Sequence, residues 1–174
     1  MAIYEFNGVA PQVHPTAFIH PLACLIGQVV VEAYCFIAPF ASLRGDFGLI
    51  KVGEGSNIQD SCTLHVKHGE VCELGRNSHV GHGAIVHGAY LEPDCLIGMN
   101  AVVMDDVRIG EKSIVAASAF LKAGLVVPPR SLVAGLPAAV VRELTDAEIA
   151  QKLAATGRYQ ELAVDCHHSL RSVV

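Results

Sequence analysis

The sequence predicts an all-β chain, a parallel β-helix finished by a C-terminal α-helix. Three observations carry that prediction. A branched aliphatic returns at every sixth position over most of the chain, a small side chain tends to follow four positions later, and the composition favours thin β structure. Apolar residues make up 52% of the 174 and charged ones only 17%, with 16 glycines and no tryptophan. Few large aromatics and much Val, Ile, Ala and Gly suit a repetitive β architecture better than a globular α/β core.

The aliphatic beat starts at Val13 and returns as Ile19, Leu25, Val31, Ile37, Leu43 and Leu49. It slips, resumes as Val52, Ile58 and Leu64, and slips again to Leu74, Val80 and Val86. After one more slip it runs from Ile97 through Val103, Ile109, Val115, Leu121 and Val127 to Val133. Ala17, Ala23, Val29, Cys35, Ala41, Cys62, Ser78, Ala84, Ala101, Ser113 and Ala119 hold the small positions, with Leu125 an exception. A period of six fits neither a helix of 3.6 residues per turn nor a long two-sided strand. It fits short strands that turn corners and stack coil upon coil. Burial is worth about 1.5–3 kcal/mol per aliphatic, much of it cancelled by ordering the backbone, so one coil needs its neighbours.

The slips are expected to mark residues that project from the coil. From Leu64 to Leu74 the spacing is ten instead of six, so four residues around HVKHGEVCE should loop out. The slip at YLEPDC is read the same way. After Val133 the beat ends in AGLPAAVVREL, and TDAE is a capping box with Thr145 as N-cap and Glu148 at N3. Ile149, Leu153, Tyr159, Leu162 and Ala163 form the expected apolar stripe of a helix that covers the open side of the coil. The division is therefore 1–144 for the β-helix and 145–174 for the helix and tail packed on it.

The net charge is −5 and no two Lys or Arg residues are adjacent, so there is no electrostatic footprint for nucleic acid or an anionic membrane. The opening MAIYEFNGVAP lacks a basic start and a long apolar run, and no apolar stretch reaches transmembrane length. A cytoplasmic location is expected. Six cysteines without a C-x-x-C pair are read as reduced thiols used as small hydrophobes.

Four stretches go beyond the repeat: SLRGDFG at 42–48, NIQD at 57–60, LHV at 64–66 and VGHGAIVHG at 80–88. Together they resemble the γ-class carbonic anhydrases, within the hexapeptide-repeat superfamily. With IGMNAVVMDD, SIVAASAFLKAG, GLPAAVVREL and YQEL, the chain is similar to the branch of that class associated with phenylacetate degradation and the carnitine operon. The resemblance covers nearly the whole chain. It implies a left-handed β-helix, a triangular prism with three six-residue sides per coil, and a homotrimer.

On that prism His65 directly follows Leu64 and His87 directly follows Val86, one 18-residue coil plus the four looped-out residues apart. The two imidazoles should stand on adjacent coils ~4.8 Å apart and can share one metal. His82 lies two residues after Val80, on the preceding side. Five extended residues span up to ~16 Å, so His82 is not expected to meet His87 at one ion within one chain. The site is expected to join His65 and His87 of one subunit to His82 of the next, as the family implies. Three neutral imidazoles with an open fourth position describe a catalytic site. Zn2+ is the expected ion, and Fe2+ or Co2+ accept the same ligands.

The resemblance assigns Gln59 to orienting the water at the metal, with Asn57 two residues away on the same strand face. It assigns Arg44, Asp46 and Asp60 to an ion-pair cluster between subunits, where holding the trimer is as good a reading as catalysis. Tyr159 matches a tyrosine sent from the C-terminal helix toward the site, or packs the helix. His14, His20, His79, His167 and His168 are read as surface residues. The acidic loop that ferries protons in the most active members is short here, leaving His68, Glu70 and Glu73, so CO2 hydration is expected to be slow. The expected activity is metal-dependent attack of hydroxide on a carbonyl carbon. The first reading is hydrolysis of an acyl-CoA thioester in phenylacetate catabolism, with carbonic anhydrase activity on CO2 and bicarbonate close behind. A hexapeptide-repeat acyltransferase, which needs one His as general base, and a catalytically silent trimeric scaffold remain open alternatives.

Overall fold

The computed structural model describes residues 2–173. Their strands stack into a three-sided parallel β-helix. One face is built from Phe18–Ile19, Phe36–Ile37, Asn57–Ile58, His79–Val80, Leu96–Ile97, Ile114–Val115 and Ser131–Gly135, with the antiparallel Ala138–Glu143 along its last edge. Two longer strands, Cys24–Val31 and Ser42–Val52, turn a corner and serve both other faces. The second face continues as Thr63–His65, Ile85–His87, Val102–Val103 and Phe120–Leu121, the third as Val71–Leu74, Tyr90–Leu91, Arg108–Ile109 and Val126–Val127.

The aliphatic beat sets the register. Ile58 pairs with Val80, Leu64 with Val86 and Val86 with Val103, so each aliphatic lies on its counterpart one coil away. Leu25, Ile37, Leu43, Ile58, Leu64, Ile97 and Leu121 are fully buried along the axis. The small positions are buried too, and where they carry a polar hydrogen they use it. The thiols of Cys35, Cys62 and Cys95 donate to the carbonyls of Gly53, Gly81 and Gly110 at 3.1–3.2 Å, and the Ser113 hydroxyl donates to Pro128. Burial pushes the Cys35 and Cys95 thiols up to about 12 and those of Cys62 and Cys72 up to about 11. All four are packing groups with no thiolate at neutral pH.

Two slips differ from expectation. Leu49 does not continue the beat; Ile50 is buried in its place. Gly27 pairs with Gly45 and Val29 with Ile50, so residues 46–49 bulge opposite Gln28 alone. At YLEPDC no residues are added. Leu91 is a buried member of the beat and pairs with Leu74. The coil is short between Val86 and Leu91, where Gly88 turns the corner at φ +57°, a conformation with little steric cost only for glycine. The slip after Leu64 is as expected, an exposed loop over residues 67–70.

The helix spans Asp146–Ser169, and its capping box is formed: Glu148 N–H donates to Thr145 Oγ1 and Thr145 N–H to Glu148 Oε2. The buried stripe keeps Ile149, Tyr159 and Ala163 of the expected one but not its two leucines. Leu153 and Leu162 are 38% and 39% exposed, whereas Ile149, Lys152, Thr156 and Ala163 are buried, flanked by Tyr159 and Cys166. The C-terminal part of the stripe, Tyr159, Ala163 and Cys166, packs on Phe18, Phe36 and Ala38 of the first face. Lys152 is admitted because its ammonium donates to the Asn77 carbonyl at 2.6 Å, and Thr156 because its hydroxyl donates back to Lys152. Among the described residues no helix is long and apolar enough to cross a membrane.

Coil-to-coil contact makes a paired glycine prediction. A β-carbon on Gly98 would lie 2.6 Å from the Ala116 carbonyl carbon, while one on Gly157 in the helix meets nothing within 4 Å. Gly98→Ala should destabilise by about 1–3 kcal/mol and Gly157→Ala should stabilise by about 0.5–1 kcal/mol, both read by denaturant unfolding.

Candidate metal centre

The second face carries the histidine pair. The ladder that stacks Leu64 on Val86 also places His65 beside His87. Both project away from the core, with ring centroids 5.1 Å apart and Nδ1 of His65 3.1 Å from Nε2 of His87. The remaining nitrogen of each ring meets a carboxylate. Asp46 Oδ1 lies 3.0 Å from His65 Nε2, and Asp105 Oδ1 lies 2.7 Å from His87 Nδ1. A carboxylate can only accept, so these contacts call for protons on the outer nitrogens and lone pairs on the inner ones. Two lone pairs then face each other across 3.1 Å, an arrangement that is stable with a cation between them. Arg44 makes the opposite demand: its Nη2 lies 3.1 Å from the same His65 Nε2. If Arg44 is the donor, a proton on His65 Nδ1 bridges to His87 instead.

Two imidazole nitrogens on a tetrahedral zinc, each at ~2.0–2.1 Å, would stand about 3.3 Å apart, close to the spacing seen. The pair thus fits half of a zinc site. His82 is built alike, its Nδ1 donating to Asp60 Oδ2 at 2.8 Å and its side chain 49% exposed. It lies beyond the end of a first-face strand, and among the described residues of one chain no group of three or more His, Cys, Asp or Glu forms a metal cage.

Each other residue singled out by the sequence has a definite place. Gln59 is buried beside His82: its Oε1 accepts the His82 backbone N–H at 3.2 Å, and its Nε2 donates to Asn57 Oδ1 and His79 Nε2. Asn57 is fully buried with its amide nitrogen unpartnered. Arg44 and Asp46 form a loose pair at 3.8 Å beside His65, and Asp60 serves His82. Tyr159 packs against Phe36 and, edge to face, against His79. A cavity of about 340 Å³ is lined by Gln59, His79, His82, Met99 and Tyr159 over an apolar floor. Of the proton-carrier candidates, Glu73 is bound to Lys51 at 3.0 Å, while His68 sits against the exposed Phe47, which also touches His65.

Two residues escaped the sequence reading. Asp105 stands 18 positions after His87, but the coil there is 17 residues long, since Val86 pairs with Val103, so counting along the ladder points to Met104 and misses Asp105 by one. Burial pushes its carboxyl up, but hydrogen bonds from His87 and Lys67 outweigh that and hold it below the ordinary range. His79, read as a surface residue, is only 9% exposed beneath the helix. Its outward position on the strand is covered by Tyr159, which the repeat pattern does not reveal.

The family model described as bacterial transferase hexapeptide (six repeats) matches residues 88–123. The carnitine operon protein CaiE of Escherichia coli is 50% identical over 170 residues, 98% of this chain and 87% of that protein. The chain belongs to the CaiE-like branch of the hexapeptide-repeat family. CaiE of Salmonella agona is 48% identical with 98% and 86% covered. Among solved structures, a hexapeptide transferase family protein from Anaplasma phagocytophilum superposes with a TM-score of 0.90 at 34% identity, covering 94% and 96% of the two chains. A Bacillus cereus protein described provisionally as an acetyltransferase gives 0.92 at 31%, covering 93% and 94%.

In this CaiE-like chain burial, then the charges of Lys152 and His82, pushes His79 down from 6.5 to about 4. His79 is therefore neutral when folded, and the unfolded chain takes up the extra proton between pH 6.5 and 4. Stability contributed by the neutral ring is present above that window and falls as pH drops through it, by up to about 3 kcal/mol. Between pH 7 and 4.5 the melting temperature of the wild type should fall several degrees more than that of His79→Gln. Equal slopes would show that His79 is not held neutral.

Proposed function

We propose that this CaiE-like chain is a metal-dependent enzyme of the γ-carbonic anhydrase type. It works as a homotrimer whose site joins His65 and His87 of one subunit to His82 of the partner subunit. The facing pair supports this reading: two imidazole nitrogens at 3.1 Å, with the outer nitrogen of each ring against a carboxylate. Such carboxylate–histidine pairs orient metal ligands and raise their basicity. Zn2+ is the ion expected, and Fe2+ or Co2+ would fit the same donors. When bound, the ion supplies water acidified toward neutrality and a Lewis acid for a carbonyl carbon.

The chain's own residues do the remaining work. Asp46, Asp60 and Asp105 fix the three rings, and Gln59 ties the His82 backbone to Asn57 and His79. The cavity between His82 and Tyr159 offers an uncharged wall suited to an acyl group, and its volume of about 340 Å³ exceeds what CO2 needs. Hydrolysis of an acyl-CoA thioester is therefore the first substrate reading and CO2 hydration the second. The descriptions of the two solved relatives favour a different reading, an acyltransferase.

One set of measurements separates these. Metal content is determined, and the same sample is assayed on CO2 and on a panel of acyl-CoA esters, with and without amine or hydroxyl acceptors. CoA release into water that stops on chelation supports the hydrolase; release that needs an acceptor and ignores chelation supports the transferase. His65→Ala and His82→Ala should each be inactive, and exchanging the two subunit types should restore part of the activity, because some mixed interfaces regain all three ligands. No recovery in fully exchanged trimers would place each site within one chain.

A further inference from the structure

We propose that Asp105 is a positioning residue that sets the tautomer and aim of the His87 ring, with Lys67 holding its carboxylate and Gly88 leaving room for it; this rests on the metal reading above and deepens it. Asp105 is 7% exposed, and both its oxygens are engaged, Oδ1 by His87 Nδ1 at 2.7 Å and Oδ2 by Lys67 Nζ at 3.2 Å. A β-carbon on Gly88 would lie 2.6 Å from Oδ1, so the short corner after His87 admits the carboxylate because it is glycine. The same corner links three coils: Gly88 N–H donates to the His65 carbonyl at 3.0 Å, and Asp106 N–H donates to the Gly88 carbonyl at 2.8 Å.

The chemistry follows from the acceptor-only carboxylate. It keeps the proton on His87 Nδ1 and leaves the lone pair on Nε2, the atom that faces His65 at 3.1 Å. Without that anchor the ring, 26% exposed, can turn about its side-chain bonds or move its proton to Nε2, and either change removes the donor. Lys67, from the exposed loop after His65, fixes the second oxygen and so the plane of the carboxylate.

The test uses full-length protein, stripped of metal and titrated with Zn2+ against a chromophoric chelator, then with Co2+ to read its visible absorption. Asp105→Ala should lose Zn2+ affinity by about 10–100-fold and change the shape of the Co2+ bands. Asp105→Asn, whose side-chain oxygen still accepts from Nδ1–H, should keep most of the affinity, and Lys67→Ala should lose less than Asp105→Ala. Melting curves and mass of the metal-free variants check the fold. Wild-type affinity and spectrum in Asp105→Ala would overturn the inference while leaving the metal site standing. So would an affinity loss matched by unfolding of the metal-free variant and shared in full by Asp105→Asn. A wild type that takes up neither ion would remove the metal reading and this inference with it.

Discussion

The stacking of one coil on the next, in one fixed register, is the constraint on which everything else depends. The ladder that closes the core by setting Leu64 on Val86 is the same ladder that sets His65 beside His87. Side chains alternate along a strand, so a slip of one residue would drive the imidazoles inward and the aliphatics out. The apolar beat therefore fixes the geometry of the polar face without any polar contact having to specify it. Long-range order in the solenoid comes chiefly from such nearest-neighbour contacts, and the helix adds to them chiefly along the first face and its corners.

Several groups around the histidine pair sit where the repeat is broken. The bulge at 46–49 sets Asp46 and Phe47 against His65. The loop at 67–70 begins with Lys67, which reaches Asp105. The short corner at Gly88 lets Asp105 close on His87. A regular coil would present the same flat ladder on every turn; lengthening one coil and shortening the next turns side chains of neighbouring coils toward each other.

The sequence made the coil legible because burial of one aliphatic in six is enforced at every turn, and it made the stacking of His65 on His87 legible by counting. What it hid was decided by contacts that periodicity does not encode. Leu91 falls off the six-residue beat because the corner before it is one position short, and Leu49 falls on it without being core because the bulge leaves no local mark. The helix stripe departs from the apolar pattern for a different reason. Its buried face includes Lys152 and Thr156, which an apolar template rejects, and which are tolerated because the Asn77 carbonyl and the helix's own backbone accept hydrogen bonds from them. The burial of His79 follows from the same face, since the residue that covers it, Tyr159, lies there.

The pairing of each histidine with a carboxylate has a geometric consequence. Adjacent strands lie about 4.7–4.9 Å apart, so outward side chains on neighbouring coils fall naturally into hydrogen-bonding range, as in Asp60 with His82 and Asp105 with His87. One nitrogen of each ring is then spent along the coil stack and the other is left for a ligand. A prism face is flat or convex, so it offers donors from one side only, and an ion held by two such donors keeps its far side open. Closing that side requires another surface carrying a donor of the same kind. His82, half-exposed and anchored in the same way on a different face, is such a donor, and rotation of one prism against another is what would bring it to the pair.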